Sequence, residues 1–204
     1  MCGIPCTHFF QKWVQGILVA MAISSLGIKR FVDPQTVVSH FHLREGDVVA
    51  DFGAGSGYYT EILAKKVGNQ GKVYACEIQK DLVEKIGTIA RQKGLSAVHP
   101  LWCDVEVERG VKIGDGILDV GLMINTLFQI DDKHMALSEV SRTIRSGGKF
   151  FIIDWSDSFG GLGPQPKDVL LQQDAQALAE AHGFVFERTF DAGDHHYGVA
   201  FRKI

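Results

Sequence analysis

The sequence of 204 residues predicts one α/β domain built on a mostly parallel sheet of seven strands, of which the last is antiparallel. Short apolar segments alternate with longer amphipathic stretches, which is typical of parallel strands joined by right-handed crossover helices. The last two predicted strands, residues 184–190 and 197–202, are separated only by residues 191–196. That connection is too short for a crossover, so the final strand must run antiparallel.

A helix opens the predicted domain, because Asp33 suits the N-cap and Pro34 the first helical position. Apolar segments of strand length then alternate with stretches of helical length. Gly147 and Gly148 are expected to end the helix that precedes the fifth strand. The first five predicted strands are residues 48–51, 72–76, 97–102, 117–124 and 149–153. The helices between and after them are predicted at residues 58–65, 81–93, 131–144 and 169–182.

Three alternating glycines follow the first predicted strand and its terminal acid, Asp51. Gly53, Gly55 and Gly57 allow a sharp turn and let a ligand approach the main chain, because no Cβ stands in the way. The N–H groups at the start of the next helix then face that ligand. A dinucleotide fingerprint would need its third glycine where Tyr58 stands, so the spacing argues against that ligand class.

Acidic or amide side chains follow the next three predicted strands. Glu77 lies about 20–26 residues past the glycines, the distance at which an α/β unit delivers a carboxylate to ribose hydroxyls. Asp104 follows the third strand and Asn125 the fourth. Because ligands of open α/β sheets bind beyond the carboxyl ends of the strands, we expect these side chains at one edge. A solvated acid at a strand end is the alternative for Glu77.

The segment from Asp51 to Gly57, followed in order by Glu77, Asp104 and Asn125, resembles the class I methyltransferases that use S-adenosylmethionine. The resemblance runs from about residue 31 to the C-terminus. It implies a Rossmann-like fold with helices on both faces of the sheet, and S-adenosylmethionine as the cofactor. The layout is most similar to the ubiquinone/menaquinone-biosynthesis type, whose acceptors are quinols methylated on carbon. The residues that the resemblance assigns to the cofactor are Asp51, Gly53, Ala54, Gly55, Gly57, Tyr58, Glu77, Ile78, Asp104, Val105 and Asn125.

Candidate catalytic residues follow the fifth strand and precede the last one. A hydroxyl or carbon-acid acceptor needs a general base, and His195 or His196 is the first candidate because free imidazole titrates near neutrality. Asp154 and Asp157 are the second choices. A surface turn without a catalytic role is the alternative for the histidine pair, and an amine or thiolate acceptor would need alignment alone.

A small-molecule acceptor, lipidic or quinol-like, is the default expectation. The net charge of −3 provides no basic field for nucleic acid. Methyltransferases of this family that act on adenine amino groups carry two prolines after the residue at Asn125, and this chain carries none there. A protein or RNA acceptor and a catalytically silent binding module stay open as alternatives, with an NAD-linked oxidoreductase behind them.

Residues 1–30 are predicted to form an apolar helical extension, and residues 31–204 the methyltransferase domain. Residues 13–28 carry no charge but are shorter than the roughly 20 residues that span a bilayer. Their apolar positions recur at helical spacing, which favours packing on the domain or on another chain, with peripheral membrane contact as the alternative. We expect a cytoplasmic protein, because the donor is an intracellular metabolite. Cys2 and Cys6 lack a second ligand pair, so no metal is expected.

Overall fold

The computed structural model of the chain describes residues 33–159 and 163–204. The predicted extension at residues 1–30, with Cys2 and Cys6, lies outside the described residues. Residues 160–162, which follow the fifth strand, also lie outside the described residues. No helix within the two described ranges is long and apolar enough to cross a membrane.

Seven strands form one sheet in the order β3-β2-β1-β4-β5-β7-β6. The first five strands are parallel to one another, whereas β7 is antiparallel to both β5 and β6. The prediction of a mostly parallel seven-stranded sheet with an antiparallel last strand is therefore confirmed. The strands are β1 (Val48–Phe52), β2 (Lys72–Glu77), β3 (Val98–Trp102), β4 (Leu118–Ile124), β5 (Ile144–Trp155), β6 (Phe184–Phe190) and β7 (His196–Lys203).

Helices pack on both faces of this sheet and bury an apolar cluster on each. One cluster includes Leu63 and Phe151, and the other includes Phe52, Leu137 and Phe150. Successive strand residues point to opposite faces, which explains why Phe150 and Phe151 belong to different clusters. The α-helices are α1 (Pro34–Ser39), α2 (Thr60–Val67), α3 (Lys80–Gln92), α4 (Lys133–Thr143) and α5 (Gln172–Ala181), with 3₁₀ turns at Leu127–Gln129 and Pro166–Asp168.

Most predicted boundaries agree within a few residues, and Asp33 is the N-cap of α1, where its side chain accepts from the N–H groups of Gln35 and Thr36. For one helix end, the predicted cause is wrong. The helix before the fifth strand ends at Thr143 because Ile144 is already extended and pairs with Leu118. Residues 144–148 therefore belong to β5, and the two glycines do not set the end of the helix.

Candidate active site

The predicted site residues meet at one edge because of where the strand order reverses. Strand β1 lies between β2 and β4, so the chain leaves β1 toward one face and leaves β4 toward the other. A crevice opens at such a switch point, beyond the carboxyl ends of the strands. The glycine turn follows β1 at this point, Glu77 ends β2, and Asn125 follows β4.

The glycine turn is docked on both neighbouring strands. The N–H groups of Gly53 and Ala54 both donate to the Cys76 carbonyl, at 2.9 Å each. On the other side, Gly53 has φ +84°, and a Cβ added there would lie 2.5 Å from Oγ1 of Thr126. Glycine is required at this position because both the backbone conformation and the close contact exclude a side chain.

Glu77 shapes the turn as well as facing the crevice. Its Oε2 accepts from the N–H of Gly55 at 3.0 Å, and its Oε1 accepts from the N–H of Gln79 at 2.9 Å. The residue is 7% exposed, so it is not a solvated strand-end acid. Each carboxylate oxygen has a second lone pair. Glu77 can therefore hold the turn and still accept hydrogen bonds from a ligand hydroxyl.

Asp51 is a buried acid whose surroundings suit a cation. It is 1% exposed, and its Oδ1 has no hydrogen-bond partner within the described residues. Burial, followed by the charge of Glu77, raises the pKa of Asp51 to about 7. A positively charged ligand group would relieve the cost of burying this carboxylate. We therefore expect the charge state of Asp51 to depend on what occupies the crevice.

This buried acid predicts a pH dependence of stability. Because the pKa of Asp51 is about 7 in the fold and near 3.8 ordinarily, the folded state binds its proton more tightly, and stability falls as pH rises from about 4 to about 7. Asp51→Asn should remove this contribution and give a flatter profile, with a higher melting temperature than wild type near pH 8. Thermal melts of the donor-free protein at several pH values test this. Equal slopes for the two proteins would contradict it.

The residues predicted to surround the nucleoside lie at the ends of β2 and β3. Ile78 is 54% exposed, and its carbonyl accepts from the Trp102 indole N–H at 2.8 Å. Oδ1 of Asp104 accepts from the Glu106 N–H at 2.8 Å, and Val105 is half-buried beside it. The edge therefore presents an apolar wall next to a carboxylate, which suits a planar base with a polar rim. Trp102 is an addition that the sequence motifs did not indicate.

Tyr58 is half-buried at the start of the helical segment and packs edge-on against Tyr59, with ring centroids 5.6 Å apart. It directly follows Gly57 and precedes the first residue of α2 by two positions. Thr60, the first residue of that helix, has a buried Oγ1 without a partner within the described residues. A polar ligand group at the start of α2 would satisfy it.

Asn125 and Asp154 lie at the ends of β4 and β5, and each makes hydrogen bonds that fix the backbone there. Asn125 has φ +53°, and its N–H donates to the Ile153 carbonyl at 2.8 Å. Asp154 is fully buried and accepts from the N–H groups of Phe128 (3.0 Å) and Trp155 (2.9 Å). Burial raises its pKa to about 7, against the opposing effect of these hydrogen bonds. Asp154 lies beneath the edge and holds the loop after Asn125, and its role as a base stays a prediction.

The two histidines at the start of β7 have different environments. Nδ1 of His195 lies 2.9 and 3.0 Å from the two carboxylate oxygens of Asp157, and its ring stacks on Phe159 at 4.0 Å between centroids. His196 packs on Trp155 at 4.2 Å. The antiparallel pairing of β5 with β7 brings these residues together.

His196 is the more deeply buried of the pair. Its Nδ1 donates to the Asp194 carbonyl at 3.1 Å, and its Nε2 is buried without a partner within the described residues. Burial lowers the pKa of His196 to about 4. The ring is therefore neutral at physiological pH and a weak base.

The candidate cofactor residues lie at or after the carboxyl ends of β1 to β4, and both histidines lie at the start of β7, beside the end of β5. Thr126, Trp155 and Phe159 are contacts that sequence motifs missed. In the sequence these residues are marked only by their positions, directly after β4 or at and beyond the end of β5. Such positions do not distinguish them from ordinary packing residues. No cluster of metal-ligating side chains is present in the part of the chain that the structure describes.

Known proteins share this arrangement. A family model described as a methyltransferase domain matches residues 43–194. The chain is 26% identical over 155 residues to a ubiquinone/menaquinone biosynthesis C-methyltransferase of Francisella tularensis subsp. novicida. This match covers 72% of this chain and 60% of the relative. The equivalent protein of Legionella pneumophila is 29% identical over 147 residues, covering 70% of this chain and 56% of the relative. The chain thus spans less than two thirds of both.

A solved structure agrees over a larger share of both chains. The crystal structure of a SAM-dependent methyltransferase from Aquifex aeolicus superimposes with a TM-score of 0.78 and 28% sequence identity. The match covers 85% of this chain and 90% of that one. The similarity therefore extends over most of both chains.

Proposed function

This chain belongs to the class I S-adenosylmethionine-dependent methyltransferases, and on that premise we propose that it methylates a small, quinol-like aromatic acceptor. The observation that carries the methyl-donor part of this proposal is the crevice itself, where a buried acid and a buried glutamate flank a glycine turn. Asp51 is 1% exposed and Glu77 is 7% exposed. A cationic nucleoside fits both: the carboxylate of Asp51 suits positive charge, and Glu77 suits ribose hydroxyls.

The chain's own residues account for donor binding. Glu77 would accept from the ribose, the wall of Ile78 and Val105 would cover the adenine, and Asp104 would accept from its amino group. Asn125 would face the donor from the β4 side, where its Oδ1 is buried and without a partner within the described residues. When bound, S-adenosylmethionine supplies a methyl group that its sulfonium makes electrophilic.

The proposed acceptor site lies over the ends of β5 and β7. Phe159, which is 38% exposed, provides an aromatic surface there and stacks on the His195 ring, whereas Trp155 is buried beneath His196. An exposed ring of this kind suits a flat aromatic acceptor, and the imidazole of His195 suits its hydroxyl group. The quinone-related names of the Francisella and Legionella relatives support the same acceptor class.

The protein would contribute alignment, exclusion of water and proton transfer. A quinol carbon becomes nucleophilic when its hydroxyl loses a proton, so a base within hydrogen-bond reach of that hydroxyl accelerates the reaction. His195 or His196 would take this role at the edge. The proposed site of action is the cytoplasm, where the donor is made.

A labelling experiment tests the acceptor class. The protein is incubated with methyl-labelled S-adenosylmethionine and a short-chain benzoquinol, and in parallel with the corresponding quinone, which has no hydroxyl proton to give. We expect label in the quinol product alone, and no label when Glu77→Ala protein is used. A parallel reaction replaces the quinol with a cell extract. Label that appears only in the protein or nucleic-acid fraction of that extract would contradict a small-molecule acceptor.

A further inference from the structure

We propose that Asp157 is a positioning residue: it fixes the ring and tautomer of His195, so that Nε2 of His195 is the proton acceptor of the reaction. This inference rests on the proposed function, because a base is needed only for an acceptor that must lose a proton. It assigns different roles to the two adjacent histidines. It also assigns a role to Asp157, an acid that does not lie at the donor crevice.

The contact is built by two loops that the sheet holds in register. Asp157 lies two residues beyond the end of β5, and His195 lies directly before β7. Trp155 pairs with His196, and the N–H of Ser156 donates to the His195 carbonyl at 2.8 Å. The side chains of Asp157 and His195 therefore meet across a fixed backbone contact, although 38 positions separate them in the sequence.

The geometry determines which nitrogen carries the proton. An ionised carboxylate only accepts hydrogen bonds, so Nδ1 of His195 must donate to Asp157 at 2.9–3.0 Å. The lone pair of the neutral ring is then on Nε2, at the opposite side of the imidazole. Phe159 stacks on the ring with an interplanar angle of 23° and limits its rotation. Together these contacts set both the tautomer and the direction of the lone pair.

His196 lacks these features. Its Nδ1 donates to a backbone carbonyl, Asp194 O, and no carboxylate is hydrogen-bonded to its ring within the described residues. Its ring packs on Trp155, which is 6% exposed. The pair therefore divides into a packed neutral ring and a ring that is supported by a carboxylate.

The proton step balances without a further reactant. The acceptor O–H bond breaks, its electron pair remains on oxygen, and the proton forms an N–H bond at Nε2 of His195. The resulting imidazolium is stabilised by the charge of Asp157 through the Nδ1–H contact. The proton then passes to solvent, since the side chain of His195 is 26% exposed.

A structural role for the ion pair would produce a different result. The side chain of Asp157 is 52% exposed, and exposed pairs contribute little to stability. Asp157→Ala should therefore change the melting temperature only slightly. The same substitution should lower turnover by about 10- to 100-fold, the usual effect of removing a residue that orients a ligand or base.

The experiment compares Asp157→Ala with Asp194→Ala, which removes another exposed acid, from the loop between β6 and β7, and with Asp157→Glu. Asp157→Ala should lower kcat with the donor Kd and the acceptor KM unchanged. Asp157→Glu should recover part of the loss, and Asp194→Ala should match wild type. In the His195→Gln background, Asp157→Ala should add no further loss, because the residue acts through His195.

Nitrogen NMR of labelled histidine in the donor-free protein gives a second readout that needs no acceptor. The His195 signal should show the Nδ1–H tautomer in wild type and a tautomer mixture in Asp157→Ala. An identical tautomer in both proteins, or full kcat in Asp157→Ala, would overturn the inference. If wild type methylates none of the tested acceptors, the proposed acceptor fails, and the NMR comparison still decides the role of Asp157.

Discussion

Replacing Glu77 by Ala is expected to weaken the binding of S-adenosylhomocysteine by about 100-fold or more. The substitution removes charge-assisted hydrogen bonds to the ribose, each contributing roughly 1.5–3 kcal/mol in a shielded site. Two of them correspond to at least about two factors of ten in affinity. Titration calorimetry measures the change. Glu84→Ala, which removes an exposed acid from α3, is the matched control and should bind as wild type does.

The same substitution has a second effect that the contacts of Glu77 predict. The N–H groups of Gly55 and Gln79 lose their acceptor in Glu77→Ala, and an unsatisfied buried donor costs about 1–3 kcal/mol. The melting temperature of the donor-free variant should therefore fall by several degrees. An unchanged affinity together with a lowered melting temperature would show that Glu77 only holds the turn.

Replacing His195 by Gln is expected to lower turnover by about 100-fold or more, with donor affinity intact. Gln fills a similar volume and keeps a polar end, but it cannot accept and release a proton. His196→Gln should cost far less, because burial lowers the pKa of His196 to about 4 and leaves it a weak base. Single-turnover measurements with saturating donor separate the chemical step from binding.

The two histidine variants also distinguish the alternatives. Full turnover in His195→Gln with a large loss in His196→Gln would transfer the role of base to His196. Full turnover in both would leave catalysis to alignment or to Asp154. That acid could reach an acceptor only if the loop of Phe128, which it now holds, moved away.

The fold and the donor crevice could be predicted because both depend on local patterns. The glycine spacing and the acids at strand ends recur in sequence, and a parallel sheet brings strand ends to one edge whatever the packing. The short connection at residues 191–196 likewise required an antiparallel last strand. These features are set by backbone sterics and chain length, which a sequence displays directly.

Other features depend on which way a side chain faces in the folded sheet. Asp154 pairs with Tyr197 on the face that α4 and α5 cover, so it is buried, although its position at a strand end suggested exposure. The contact of Asp157 with His195 depends on the register of β5 with β7, and the contact of Thr126 with Gly53 on how two loops dock. Local sequence carries no signal for such long-range contacts.

Titration calorimetry of the wild-type protein with S-adenosylhomocysteine, and separately with NAD, identifies the ligand class of the crevice. We predict saturable one-to-one binding of S-adenosylhomocysteine, no binding of NAD, and loss of the signal in Glu77→Ala. S-adenosylhomocysteine should also raise the melting temperature by linkage, in proportion to RT ln(1 + [L]/Kd). Binding of NAD with no heat or melting response to S-adenosylhomocysteine would contradict the assignment of this crevice to a methyl donor.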